Sequence, residues 1–293
     1  MEENKNSFVI INGNLKSENE ALISVKNSGF LYGDGLFETI KVHNGKILLF
    51  HEHISRLLLS LSFFSYQAAR LKDLKNELKK NIYNLIEMNH LACKDAVVKI
   101  VACRGEYINR MDYKTPSESY FIVFAEEFKG YPASLYLNGI DVATSSIRRV
   151  SYQNQLYRHK TLSYFENIFS RNEANSKGAN ESLFISEDDF VLEGAVSNIF
   201  MIKKEKVFTP SLDFNILPGI IRGEVLKICS TNRIDFREEK FKITDLYDAD
   251  EIFITNSMMG IMPVKKIDTH ILKKEIPGSI TRKISFLYQK GFG

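Results

Sequence analysis

The stretch FETIKVHNGKILLFHEHISRLLLSLSFF (37–64) contains two changes of pattern within twenty-eight residues. Apolar runs flank His43-Asn44-Gly45, and an Asn-Gly pair supplies the positive φ values that a tight hairpin turn needs. From His51 onward the apolar residues recur at helical spacing instead of alternating. A hairpin feeding directly into an amphipathic helix predicts an α+β domain.

Outward from this stretch the same reading extends in both directions. FVIINGN (8–14) and ISVKNSG (23–29) read as strands broken by turn residues, and LKDLKNELKKNIYNLIEMNHL (71–91) as a second helix covering the sheet. AVVKIVACR (96–104) and SYFIVFAEE (119–127) are strand-like. Gly and Pro punctuate the chain between Lys129 and Ala133, so the expected boundaries are a first domain 1–128, a linker 129–135 and a second domain 136–293. In the second domain LNGIDVATSSI (137–147) reads as a strand and KTLSYFENIFSRNEANSKG (160–178) as a helix ending at glycine. ESLFIS, VLEGAVSNIFMIKK, KVFTPS and EIFITN are short strands, numerous enough for a barrel-like sheet, and GIIRGEVLKICSTN (219–232) is a helix.

Composition narrows the function. The 293 residues are 44% hydrophobic, ample for a core, and 39 basic against 36 acidic residues leave +3 without a basic stripe, which argues against nucleic acid. No apolar run reaches the ~18 residues of a membrane span, and MEENKNSFVIINGN has no signal-peptide core, so the expected location is cytoplasmic. Three cysteines without a CxxC pair predict neither disulfides nor a zinc site, and no metal is expected. His51 and His53, one residue apart, do not share a helix face and read as structural. The nucleotide, zinc-protease and serine-hydrolase motifs are missing.

Five features carry candidate chemistry. Lys160, read at a helix start, sits where the helix dipole disfavours an ammonium, as a nucleophilic lysine requires; a solvated lysine is the alternative. Glu193 interrupts the apolar LEGAVSNIF strand and needs a cation or strong donor such as a protonated pyridine ring, unless it sits at an exposed strand end. Pro218-Gly219 leaves the amides of Ile220 and Ile221 at a helix N-terminus, an anion site or an ordinary helix start. Arg56 could bind a phosphate or make a surface ion pair, and Ser257, after Asn256 in ITNSMMGIMPV, could donate to a phosphate or cap a turn.

Taken in order, GFLYGDGLFETIKVHNGKILLFHEHISRL, RHKTLSYFENI, LEGAVSNIF, TPSLDFNILPGIIR and DEIFITNSMMGIMPV resemble the fold type IV pyridoxal-phosphate (PLP) enzymes. These class IV aminotransferases include branched-chain and D-amino-acid aminotransferases and aminodeoxychorismate lyase. The resemblance implies a two-domain α+β fold, a small N-terminal domain and a larger PLP-binding domain. It also implies a Schiff base between PLP and Lys160, which shuttles a proton. Glu193 would pair with the pyridinium, Tyr164 with the phenolic oxygen, and Arg56, Ile220, Ile221 and Ser257 with the phosphate. Ser197 and Asn198 would orient the Glu193 strand. Tyr32, Thr39, Arg104, Arg110, Asn256 and Met258 are candidate contacts for an amino acid and a 2-oxo acid, in an expected homodimer. Transamination is the leading activity, with 4-amino-4-deoxychorismate cleavage to 4-aminobenzoate and pyruvate as the alternative: Thr39 and NSMMGIMPV resemble the lyases, KTLSYFEN and EGAVSNIF the aminotransferases.

Overall fold

The computed structural model describes residues 7–66, 73–106, 119–149, 154–272 and 275–291. They form two compact units, residues 1–130 with 159–163, and residues 131–158 with 164–293. The sequence expectation placed all of 136–293 in one domain. Residues 159–163 depart from it because their backbone bonds to a strand of the first unit.

The first unit contains β1 (Phe8–Ile11), β2 (Asn14–Ser17), α1 (Ser28–Tyr32), β3 (Gly35–His43), β4 (Lys46–Ile47), α2 (Phe50–Phe63), α3 (Leu74–Met88), β5 (Ala96–Cys103) and β6 (Tyr120–Glu127). The strands form one antiparallel sheet in the order β2-β1-β6-β5-β3-β4. Asn44 and Gly45 adopt positive φ, 46° and 74°, in the β3–β4 turn. On β3, Leu36, Glu38, Ile40 and Val42 are buried, while Thr39, Lys41 and His43 on the opposite face are only half-buried. The inner face joins Ile54, Leu57 and Leu61 of α2 and Leu78, Ile82 and Leu85 of α3 in a single core. Residues 23–29 are not a strand. Asn27 makes one isolated bridge to Glu106 and caps α1 by accepting from Gly29 N.

Glu38 is a charge inside this core. Arg56 donates Nε to Glu38 Oε1 (2.7 Å) and Nη2 to Oε2 (2.6 Å), and His53 Nδ1 lies 2.7 Å from Oε2. Burial alone would raise the Glu38 pKa; the Arg56 charge and the hydrogen bonds from His53 and Arg56 overcome it and hold the carboxyl at about 2, against 4.5. The His53 imidazole is pushed down, by burial above all, so the neutral ring donates to the carboxylate. A carboxyl with a depressed folded pKa stabilises fully above its unfolded value and loses that contribution as pH falls toward the folded one. Urea unfolding should therefore cost the wild type about 2 kcal/mol more stability between pH 6 and pH 3 than it costs Glu38→Gln. Parallel pH dependences of the two proteins would remove Glu38 as the cause.

The second unit contains α4 (Ala133–Asn138), β7 (Ile140–Arg149), α5 (Phe165–Ser176), β8 (Glu181–Ser186), β9 (Val191–Gly194), β10 (Asn198–Lys203), β11 (Lys206–Thr209), α6 (Ile220–Thr231), β12 (Phe236–Glu238), α7 (Ile243–Tyr247), β13 (Glu251–Asn256), β14 (Gly260–Ile267), β15 (His270–Ile271) and α8 (Ser279–Lys290). Its nine-stranded mixed sheet runs β12-β11-β10-β13-β14-β7-β8-β9, with β15 on β14. Ile199, Met201, Ile252, Ile254, Met262 and Val264 belong to its largest core. On the other face of β10 and β13 the cross-strand pair Phe200–Phe253 stacks at 4.8 Å.

Candidate active site

Lys160 lies outside any helix. α5 begins at Phe165, with Tyr164 as its N-cap, so the helix dipole invoked from sequence does not act at the lysine. Lys160 belongs instead to a short strap, residues 159–163, laid along β3. Phe37 N–H donates to Lys160 O at 2.8 Å, Leu162 N–H to Gly35 O at 2.8 Å, and Thr161 bridges Leu36. Glycine suits position 35, because a Cβ would stand 2.8 Å from the backbone Ala102 O as well as 2.5 Å from Leu162 Cδ1. Lys160 Nζ sits 4.4 Å from the centroid of the Phe37 ring.

A second cation shares that ring. Lys99 Nζ lies 5.2 Å from the Phe37 centroid, and Lys99 is the cross-strand partner of Thr39. Phe37, Thr39, Lys99 and Lys160 thus gather on the outer face of the first sheet, opposite the core that holds Glu38. Lys99 was not singled out from sequence. Its signal was the alternation in AVVKIVACR, where Val97, Lys99 and Val101 share the half-buried face.

Other expected residues of this unit have commitments of their own. Arg56 is buried against Glu38 and is not a surface pair. Arg104 is buried, its Nε 3.0 Å from Asp34 Oδ2, its Nη2 donating to Phe64 O and its guanidinium 4.4 Å from the Tyr66 ring centroid. Tyr32 stands exposed on α1. Arg110, in the RGEYINRMDY segment, lies outside the described residues.

In the second unit the expected residues converge on the turn after β9. Glu193 is buried, and both carboxylate oxygens have donors: Arg149 Nη1 reaches Oε1 at 3.0 Å and Leu217 N–H reaches Oε2 at 3.0 Å. Arg149 is the cation that burial of Glu193 demands. Its Nε also reaches Glu166 Oε1 at 3.1 Å, and its guanidinium carbon lies 3.5 Å from the Phe184 ring centroid and 4.2 Å from that of Tyr157.

The turn itself is held from several sides. Ala195 O accepts from Tyr164 Oη (3.1 Å) and Asn167 Nδ2 (2.6 Å), and Val196 O accepts from Asn256 Nδ2 (3.1 Å). Burial first, then the Glu193 charge, raises the Tyr164 pKa, so the phenol keeps its proton. Ser197 Oγ donates to the buried Glu181 Oε2 at 3.0 Å. Asn256 Oδ1 also accepts from Met258 N and Met259 N, which makes Asn256 the organiser of the β13–β14 turn containing Ser257 and Met258.

α6 starts at Gly219 with no side chain capping it. A Cβ on Gly219 would stand 1.8 Å from Asn198 Oδ1, while Asn198 Nδ2 holds Leu217 O at 3.0 Å. Asn198 and Thr255 are cross-strand partners, so their side chains share a face. Thr255 Oγ1 is buried without a partner among the described residues. An uncapped helix N-terminus is where backbone amides can meet an anion. Among the described residues no cluster of His, Cys, Asp and Glu could hold a metal, and no helix is long and apolar enough to cross a membrane.

The family model Amino-transferase class IV matches residues 35–267. A protein of Methanocaldococcus jannaschii, described as a branched-chain-amino-acid aminotransferase, is 31% identical over 276 residues, covering 94% of this chain and 93% of its own. The aminodeoxychorismate lyase of Bacillus subtilis is 28% identical over 283 residues, covering 97% of this chain and 94% of its own. Among solved structures, the branched-chain amino acid aminotransferase of Escherichia coli superposes with a TM-score of 0.90 at 24% identity, over 98% of this chain and 94% of that one. The chain belongs to the class IV aminotransferase family, and is a PLP-dependent enzyme of the two-domain α+β fold expected from its sequence.

Proposed function

We propose that the chain transfers an amino group between an amino acid and a 2-oxo acid, with Lys160 as the residue that carries PLP. The observation that carries this reading is the presentation of Lys160 over Phe37 by a backbone-bonded strap. The charges of PLP are each met by a suitable group. Glu193 offers a buried anion to the ring nitrogen, Tyr164 a protonated phenol that would exchange its bond to Ala195 O for one to the ring oxygen, and the start of α6 the amides of Ile220 and Ile221 to the phosphate. Ser257, on the turn organised by Asn256, and Arg56, held by Glu38, are further phosphate donors in this reading; Ser197 and Asn198 brace the turn and the α6 start. When bound, PLP supplies the electron sink that stabilises negative charge at the substrate Cα.

The residues perform the rest. Lys160 would take the proton from Cα with its amine uncharged and deliver it to the cofactor's C4′. Lys99, beside Thr39 on the same face, anchors a substrate carboxylate, with Tyr32, Arg104, Arg110 and Met258 as outer candidates. Arg149 would keep the Glu193 carboxylate oriented for the ring nitrogen.

A second reading is cleavage of 4-amino-4-deoxychorismate. It is favoured by Thr39 facing Lys99 and by the likeness to the Bacillus subtilis lyase. A panel of L- and D-amino acids with pyruvate and 2-oxoglutarate, run beside the lyase substrate, separates the two. Transamination predicts a new 2-oxo acid from at least one donor. Release of 4-aminobenzoate with no donor turned over would transfer the assignment to the lyase.

The finer setting is a cytoplasmic homodimer. Supporting the dimer, Leu22, Ile23, Val25, Phe30, Leu31 and Tyr32 lie exposed within eleven residues of the first unit, an apolar patch suited to a second copy. All three cysteines are free thiols, in keeping with a reducing compartment.

A further inference from the structure

Helix α2 carries His53, Arg56 and Ser60 at i, i+3 and i+7, so the three line one stripe of the helix. Two of them serve Glu38. The third, buried Ser60, has its Oγ 2.9 Å from Nδ1 of His159, the residue immediately before Lys160. The His159 ring stacks on Phe63, with centroids 4.3 Å apart and planes at 29°, and meets Phe64 edge-on at 4.9 Å and 69°. An imidazole is thus held against α2 by two rings and one hydrogen bond.

Downstream of Lys160 the strap is fixed by its main chain on β3 and by Leu162 and Ser163, which fill the space beside Gly35 and Gly33. Upstream lies a 3-10 turn, Gln155–Arg158, with Gln155, Leu156 and Arg158 exposed. His159 stands at the junction. We propose that the His159–Ser60 pair is a latch that fixes the upstream end of the strap and so presents the Lys160 amine in one orientation over Phe37. His159 is a positioning residue and does not itself touch the cofactor. A lysine side chain has four rotatable methylenes, so movement of its Cα is added to wide freedom at its amine. The inference rests on Lys160 being the residue that carries PLP.

The test follows covalent capture, not turnover. Protein stripped of cofactor is mixed with pyridoxal 5′-phosphate, quenched with borohydride at timed intervals, and mapped by peptide mass spectrometry. The proteins are the wild type, His159→Ala, His159→Phe, Ser60→Ala and the double variant His159→Phe/Ser60→Ala. Thermal melts identify folded samples, and Ser60→Ala keeps the test open where His159→Ala does not fold. Capture at Lys160 should slow roughly tenfold to a hundredfold in His159→Ala, on the scale of an ångström-sized misplacement. His159→Phe, which keeps the stacking, and Ser60→Ala should each slow it a few-fold. The double variant should be no slower than the slower single one, since both remove the same hydrogen bond. A wild-type rate in folded His159→Ala, or effects of the two single variants that add in full, would overturn the latch. Failure of the wild type to capture at Lys160 would instead sink the reading of the site, and the latch with it.

Discussion

Lys160→Ala is expected to abolish covalent PLP attachment and to lower amino-group transfer by about ten-thousandfold or more, because one amine serves both as the attachment point and as the proton carrier. The fold should survive. The strap is held by main-chain bonds from Phe37 and Leu162 that do not involve the lysine side chain, and Leu162 still packs beside Gly35. The variant should therefore bind PLP non-covalently, with an unchanged melting temperature and no band fixed by borohydride. Adding a small primary amine such as methylamine should restore part of the rate by replacing the missing base. A variant that retains more than about a tenth of wild-type turnover would mean that another residue performs the chemistry.

The second large effect is expected at Arg149. Arg149→Met removes the cation from between two carboxylates, Glu193 and Glu166, and leaves Glu193 buried with only the Leu217 amide of the two donors described here. Breaking one side of a buried ion pair costs about 3–5 kcal/mol, so urea unfolding should show a loss of that size. Arg149→Lys should recover little of it. A lysine offers a point charge where the guanidinium spans Glu193 and Glu166 at once while lying against the rings of Phe184 and Tyr157. If Glu193 pairs with the ring nitrogen as proposed, the absorbance of bound PLP should shift as well. Stability within about 1 kcal/mol of wild type would show that Arg149 is not the partner that makes burial of Glu193 tolerable.

How much of this was legible in the sequence depended on the range of the interactions involved. The Asn44-Gly45 turn and the helical spacing after His51 are local signals, and both elements formed as read. ISVKNSG failed because its apolar residues Ile23 and Val25 face outward and Asn27 serves as a helix cap. The helix assigned from Lys160 begins only at Phe165. Lys160 O and Leu162 N–H are satisfied on β3, a partner far away in sequence, and Phe165, Ile168 and Phe169 of the helix that follows are exposed. β14 was not read as a strand, and Pro263 within it argues locally against one. Its pairing with β7 begins at Val264, so the proline lies beyond the first β7 residue and interrupts no ladder on that side. The terminal helix α8 was not read either.

The site divides in the same way. That a buried Glu193 needs a cation follows from electrostatics alone, and it directed attention to that strand. That the cation within the chain is Arg149, forty-four positions earlier, depends on how β7, β8 and β9 lie together. Glu38 illustrates the converse: it carried no weight as a sequence feature, yet it anchors Arg56 and His53 beneath the strand that receives the Lys160 strap.

The central claim is that Lys160 carries the cofactor. The measurement that bears on it most directly is borohydride reduction of the purified wild-type protein loaded with PLP, followed by peptide mapping. The account predicts one pyridoxyl group per chain, on the peptide containing Lys160. Reduction that leaves Lys160 unmodified, with the label absent or spread over other lysines such as Lys99, would contradict it.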